Sequence, residues 1–216
     1  MEKKTILKFL SKTYLVVGIV LIFSAFSIVA ITFYPQIWYS VDKGATQTEA
    51  SSITDEIVIL ESKEKEEITK EDTTQNLPPI DETLPKDNMI KISSIGVDST
   101  IIQNENAKDG LEEGIWIAPN FGTPESNELP MILAAHRFGY VYWTSDFRTK
   151  SSFYNLPKLK IGDRVQIIWG QRSYEYEVYR AEDNTQIVDY DADLILYTCR
   201  MYNSPVRVFR YLNRVN

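Results

Sequence analysis

The chain of 216 residues carries 30 acidic against 23 basic side chains, a formal charge of −7, and 44% hydrophobic residues. The acidic balance argues against a nucleic-acid partner, and one cysteine excludes an internal disulfide. No CxxC pair, HExxH helix or glycine-rich phosphate loop occurs, so no metal and no cofactor is predicted.

The first segment, 1–41, opens on Lys3, Lys4, Lys8 and Lys12 against a single Glu2, and 13–41 holds no charge at all. Its core, 15–33, is almost wholly apolar, and at ~1.5 Å per residue about 20 residues cross a ~30 Å hydrocarbon layer. Tyr34, Trp38 and Tyr39 follow, where interfacial aromatics belong. The expectation is a single-pass membrane anchor with the lysine cluster in the cytoplasm and the remainder outside the cell. The competing reading is a signal peptide cleaved near Ala30; the length of the apolar run and the bulky residues at its boundary weigh against it. The stretch 42–88 is rich in Glu, Lys, Asp, Thr and Ser with Pro78, Pro79 and Pro85, and reads as an extracytoplasmic linker that buries too little to offset its ordering entropy. Only 57–60 is a compact apolar patch, and docking of that patch on the domain is the alternative.

The folded domain is expected over 89–216. Short strands are predicted at 89–92 and 99–102, a helical turn over 107–113 ended by Gly114, and strands at 114–118 and 131–136. A polar and aromatic loop is expected over 137–150, a short helix at 153–156 before Pro157, and strands at 163–169 and 172–181 joined by the Gly170-Gln171 turn. A short strand at 186–188 and strands at 194–199 and 206–215 complete the pattern. Many short strands with proline and glycine turns predict a mainly β domain, a closed barrel or a sandwich, with short helices.

The one cysteine, Cys199, closes the run Leu194-Ile195-Leu196-Tyr197-Thr198-Cys199, and the one histidine, His136, closes the run 131–135. Taken alone, such a cysteine is more often a small buried core residue than a nucleophile. The surroundings point elsewhere. Leu196-Tyr197-Thr198-Cys199 resembles the Thr-Leu-x-Thr-Cys of the sortases, with Ile195 in place of the first Thr. Ala134-Ala135-His136-Arg137 resembles their Ala-Gly-His-Arg, with Ala135 in place of Gly. Leu159-Lys160-Ile161-Gly162-Asp163 resembles their Leu-x-x-Gly-Asp. Val97-Asp98, followed by Leu111, Gly114 and Trp116, resembles the start of their domain. Four motifs in the family's order, over about 89–216 and behind an anchor, resemble the membrane-bound cysteine transpeptidases of bacterial surfaces.

The resemblance implies a closed eight-stranded sortase-type β-barrel with Cys199 as nucleophile, His136 as general acid/base and an arginine on the last strand. A free thiol is only a few per cent thiolate at neutral pH, so a nearby imidazolium favours the reactive ion pair and protonates the departing amine. An arginine keeps its proton and clamps a carbonyl or an oxyanion. Arg207 and Arg210 lie an odd number of residues apart, so on a strand they face opposite ways. Arg207, between Val206 and Val208 at the strand's entry, is the choice; Arg210 is the alternative. Thr198 and Ala135 are candidate substrate-binding residues. Trp143, Tyr140, Tyr142 and Phe147 form an aromatic group that either packs on the site or binds substrate.

The implied partners are surface proteins with a Leu-Pro-x-Thr-Gly-like sorting signal and an amine acceptor from a peptidoglycan precursor or a pilin. Pro78, Pro79 and Pro85 form no Asp-Pro-aromatic lid, which favours a housekeeping or pilus-anchoring enzyme over a pilus polymerase. The acidic stretch Glu182, Asp183, Asp189, Asp191 and Asp193 is read as solvated, not as a calcium site. The alternatives are a membrane-tethered β-barrel adhesion module without catalysis, and a cysteine hydrolase without transfer activity.

Overall fold

The computed structural model describes residues 12–28, 77–126, 129–201 and 204–216. A first helix, α1 (12–28), exposes its apolar side chains, Phe23 and Phe26 among them. Among the described residues no helix is long and apolar enough to cross a membrane. The rest of the expected span, to residue 33, and the apolar patch at 57–60 lie outside the described residues.

Eight strands follow, β1 (Met89–Ile92), β2 (Val97–Ile102), β3 (Ile115–Ile117), β4 (Met131–Ala134), β5 (Arg164–Trp169), β6 (Arg172–Asn184), β7 (Leu194–Cys199) and β8 (Arg207–Arg214). They close a barrel in the order β1-β2-β3-β4-β7-β8-β6-β5. Closure removes every exposed sheet edge. Period-two alternation then divides the apolar residues. One cluster draws on all eight strands, from Ile90, Ile101, Ile115, Leu133 and Ile167 to Tyr176, Leu196 and Leu212, and so fills the lumen. The other takes Trp116, Ile132, Ala134, Ile195, Tyr197, Phe209 and Tyr211 from β3, β4, β7 and β8 and covers them with helix α2 (Ala107–Glu113) through Leu111. β4 and β7, a parallel pair, are buried on both faces, which is why they read as unbroken apolar runs.

The structure departs from the expected elements in five places. Helix α3 (Ser145–Lys150) forms inside the expected loop, because Thr144 caps Phe147 N at 3.1 Å and Asp146 pairs with Lys150 at 2.9 Å, one turn apart. The turn expected at 153–156 is a 3-10 turn at Leu156–Lys158 instead, with Pro157 in its first positions, where the missing N–H costs nothing. No strand forms at 186–188: β6 extends to Asn184 past a register shift between Val178 and Arg180, and so takes the place opposite β8. β4 ends at Ala134, two residues short of the expected His136. Residues 77–88, expected as linker, lie against the β5–β6 hairpin. Asp81 N donates to Gln171 O at 2.8 Å and the Gln171 side-chain amide donates to Leu84 O at 3.2 Å.

Candidate active site

Three strands bring the single imidazole, the single thiol and an arginine side by side. β4 and β7 pair from Met131 opposite Leu194 to Ala134 opposite Tyr197. Ala135 N then donates to Tyr197 O at 3.4 Å, and the same offset carried one step further sets His136 level with Cys199. On the other flank β8 places Arg207 directly opposite Cys199. Residues directly opposite share a face and neighbouring strands lie about 4.8 Å apart. That face is the outer one, since Tyr197 and Phe209, two residues along, belong to the outer cluster. The row is buried: His136 and Cys199 are each 2% exposed and Arg207 5%. Arg207 is anchored by its Nη1, which donates to Ser204 O at 2.5 Å.

The aromatic group after His136 packs on the imidazole. Tyr140 meets the His136 ring edge-on at 5.5 Å and Trp143 lies at 6.2 Å. Tyr142 stacks on Tyr140 at 5.2 Å and its hydroxyl donates to Glu112 Oε1 at 2.5 Å. Burial, the hydrogen bond and the Glu112 charge together push the Tyr142 hydroxyl far above its ordinary value. Helix α3 holds the loop from beneath: Arg148 Nε donates to Phe138 O at 3.0 Å and its Nη2 to Tyr140 O at 3.1 Å. Among the described residues no group of three or more His, Cys, Asp and Glu side chains is placed to hold a metal ion.

With this geometry established, comparison with known families is decisive. Residues 90–215, more than half of the chain, match the Sortase domain. The chain belongs to the sortase family. Sortases are cysteine transpeptidases, and this sortase has one cysteine to offer. Among solved structures it is similar to sortase A of Corynebacterium diphtheriae, lid mutant, at 21% identity over 61% of this chain and 71% of that one, with a TM-score of 0.50. It is also similar to the sortase D5 transpeptidase of Clostridium perfringens, at 21% identity over 61% and 79%, TM-score 0.48. A third is Streptococcus agalactiae sortase C1 in complex with MTSET, at 23% identity over 60% and 69%, TM-score 0.48. At such identity the likeness bears on the fold alone. No curated protein sequence matches the chain.

The other residues singled out in this sortase sit differently. Arg210 points to the luminal side, where its Nε donates to Leu159 O at 2.7 Å, its Nη1 to Phe209 O at 2.7 Å and its Nη2 to Pro157 O at 2.9 Å. Burial lowers its pKa from the ordinary arginine value. Thr198 and Ala135 face the lumen as well and are not brought to the Cys199 face. Ala135 belongs to the inner cluster, and Thr198 Oγ1 donates to Ala135 O at 2.7 Å. Sequence reasoning missed two residues, one in the row and one that supports it. Asn184, opposite Arg207, extends it onto β6; its only signal was the length of β6, which the bulge concealed. Arg148 supports the His136 loop; the Thr144 cap three residues before Phe147 was the sign of its helix.

Gly139 holds the loop in shape. It has a φ of +71°, and a Cβ there would stand 2.0 Å from Trp143 Cε3. Gly139→Ala is therefore expected to cost about 2–4 kcal/mol from overpacking and left-handed backbone together. The indole that packs on His136 would shift with it. Thermal unfolding and peptide cleavage, both reduced relative to the unaltered protein, check this.

Proposed function

We propose that the protein is a membrane-anchored sortase whose Cys199 thiolate attacks an amide of a Leu-Pro-x-Thr-Gly-like sorting signal. The tetrahedral oxyanion is held by Arg207, whose permanent charge is worth more in a dry site than in water. His136 gives its proton to the departing amine. The acyl group then rests on Cys199 as a thioester. An amine of a peptidoglycan precursor or a pilin, deprotonated by His136, attacks it and forms a new amide. The apolar run 15–33 behind the lysine cluster would anchor the enzyme in the cell membrane, with the barrel outside the cell.

The observation that supports this reading most is the strand register, which carries the only imidazole and one arginine to either side of the only thiol. A test is to incubate the full-length protein in detergent with a sorting peptide, with and without an added amine such as triglycine. A transpeptidase yields the peptide–amine conjugate, and a hydrolase yields the same free acid in both reactions. No cleavage at all, together with a Cys199 inert to a methanethiosulfonate reagent at neutral pH, would leave a tethered binding module.

A further inference from the structure

His136 and Cys199 stand just past the paired register of β4 and β7, which runs to Ala134 opposite Tyr197. The Ala135 N to Tyr197 O bond beyond it is long at 3.4 Å, and His136 O accepts from Phe153 N at 3.2 Å. Two side-chain bonds bracket the pair. Thr198 Oγ1 donates to Ala135 O one residue before it, and Arg137 Nη1 donates to Arg200 O one residue after it. Both span 63 residues of sequence, the offset of the strand pairing itself. The Arg137 bond lies on the far side of the pair from the Thr198–Ala135 bond.

Arg137 makes a further contact at the strand ends. Its guanidinium lies over the Phe138 ring at 5.1 Å, and its Nε is buried without a hydrogen-bond partner. Burial, with the like charge of Arg200, lowers its pKa, while Tyr154, Asp183 and Cys199 act in the opposite sense. The Arg200 charge that faces it is paired with Asp183 at 3.0 Å. A half-buried guanidinium is less screened than an exposed one, and this one bonds the carbonyl of the residue next to Cys199.

We propose that Arg137 is a positioning residue that ties the end of the Cys199 strand to the end of the His136 strand and sets a fixed positive charge beside the thiol. It stands outside the Cys199, His136 and Arg207 trio, and the proposal rests on the reading of Cys199 as nucleophile. The bond fixes the separation of imidazole and sulfur, on which both proton transfers depend. The charge favours the thiolate. Neither effect needs contact with the peptide, so turnover falls and peptide affinity does not.

The test compares the unaltered full-length protein with Arg137→Ala, Arg137→Lys and His136→Ala. Two quantities are read: the pH profile of Cys199 alkylation by iodoacetamide, and kcat and KM for peptide transfer to triglycine. Arg137→Ala is expected to move the alkylation midpoint up by about one pH unit. It is expected to lower kcat by about 10–100-fold with KM within about threefold. Arg137→Lys keeps the charge without the fork, so it should restore the midpoint but leave kcat about tenfold down. Should the alanine variant unfold, the lysine variant carries the test. An unchanged midpoint and a kcat within about twofold in both variants overturn the proposal while leaving Cys199 as nucleophile, provided His136→Ala alters the alkylation profile. A profile indifferent to His136→Ala as well would overturn both readings.

Discussion

Cys199→Ala is expected to abolish peptide cleavage, with a loss of about 10⁴-fold or more, and to leave the barrel folded. The size of the effect follows from the absence of a substitute: the chain has no other thiol, and the row on β4, β7 and β8 offers no second nucleophile. The fold tolerates the change because Cys199 is the last residue of β7 and its side chain is small. Removing one sulfur there creates little cavity, about 1 kcal/mol by the cost of small core truncations. His136→Ala should fall in the same direction by about 10²–10⁴-fold, since it removes the proton donor but not the nucleophile. Circular dichroism and thermal unfolding check the fold, and cleavage of a fluorogenic sorting peptide reads the activity. A cleavage rate within tenfold of the unaltered protein would require another mechanism.

The second large effect separates two arginines that the sequence left as alternatives. Arg207→Ala should lower kcat by about 10²–10³-fold, the usual cost of removing one oxyanion donor, with a melting temperature close to that of the unaltered protein. Arg207 lies at the entry of β8 on the outer face, where its Nη1 donates to Ser204 O, so the packing of the lumen does not depend on it. Arg210 is the reverse case. It donates to the carbonyls of Leu159, Phe209 and Pro157 from the buried luminal side. Arg210→Ala removes three buried hydrogen bonds from a charged donor, at about 1–3 kcal/mol each, and so should lower the melting temperature by about 10 °C or more. Peptide turnover at low temperature, per folded molecule, should change far less than in Arg207→Ala. The converse pattern would exchange the roles assigned to the two residues.

Much of the architecture was legible in the chain because the period of the hydrophobic pattern is a direct image of burial. Leu194–Cys199 and Met131–Ala134 are unbroken apolar runs because both faces of a parallel pair are covered. Tyr174, Tyr176 and Val178 alternate with Glu175, Glu177 and Tyr179 because β6 is dry on one side only. The opposite faces of Arg207 and Arg210 also followed from period two, but which face carries the thiol did not: that needs the register of β8 on β7. Helix α3 was hidden because six residues with no buried side chain leave no amphipathic signature. The far end of β6 was hidden because its bulge breaks the alternation at Tyr179. Thr198 and Ala135 were given to substrate on their nearness in sequence to the thiol and the imidazole. A one-residue step on a strand reverses the face, and the two bond to each other across the lumen side instead.

The most direct measurement is the intact mass of the full-length protein after brief exposure to a sorting peptide. A covalent adduct of the cleaved acyl fragment on Cys199, discharged by added triglycine and absent from Cys199→Ala, is the predicted result. An adduct on another residue, or peptide cleavage that proceeds in Cys199→Ala, would contradict it.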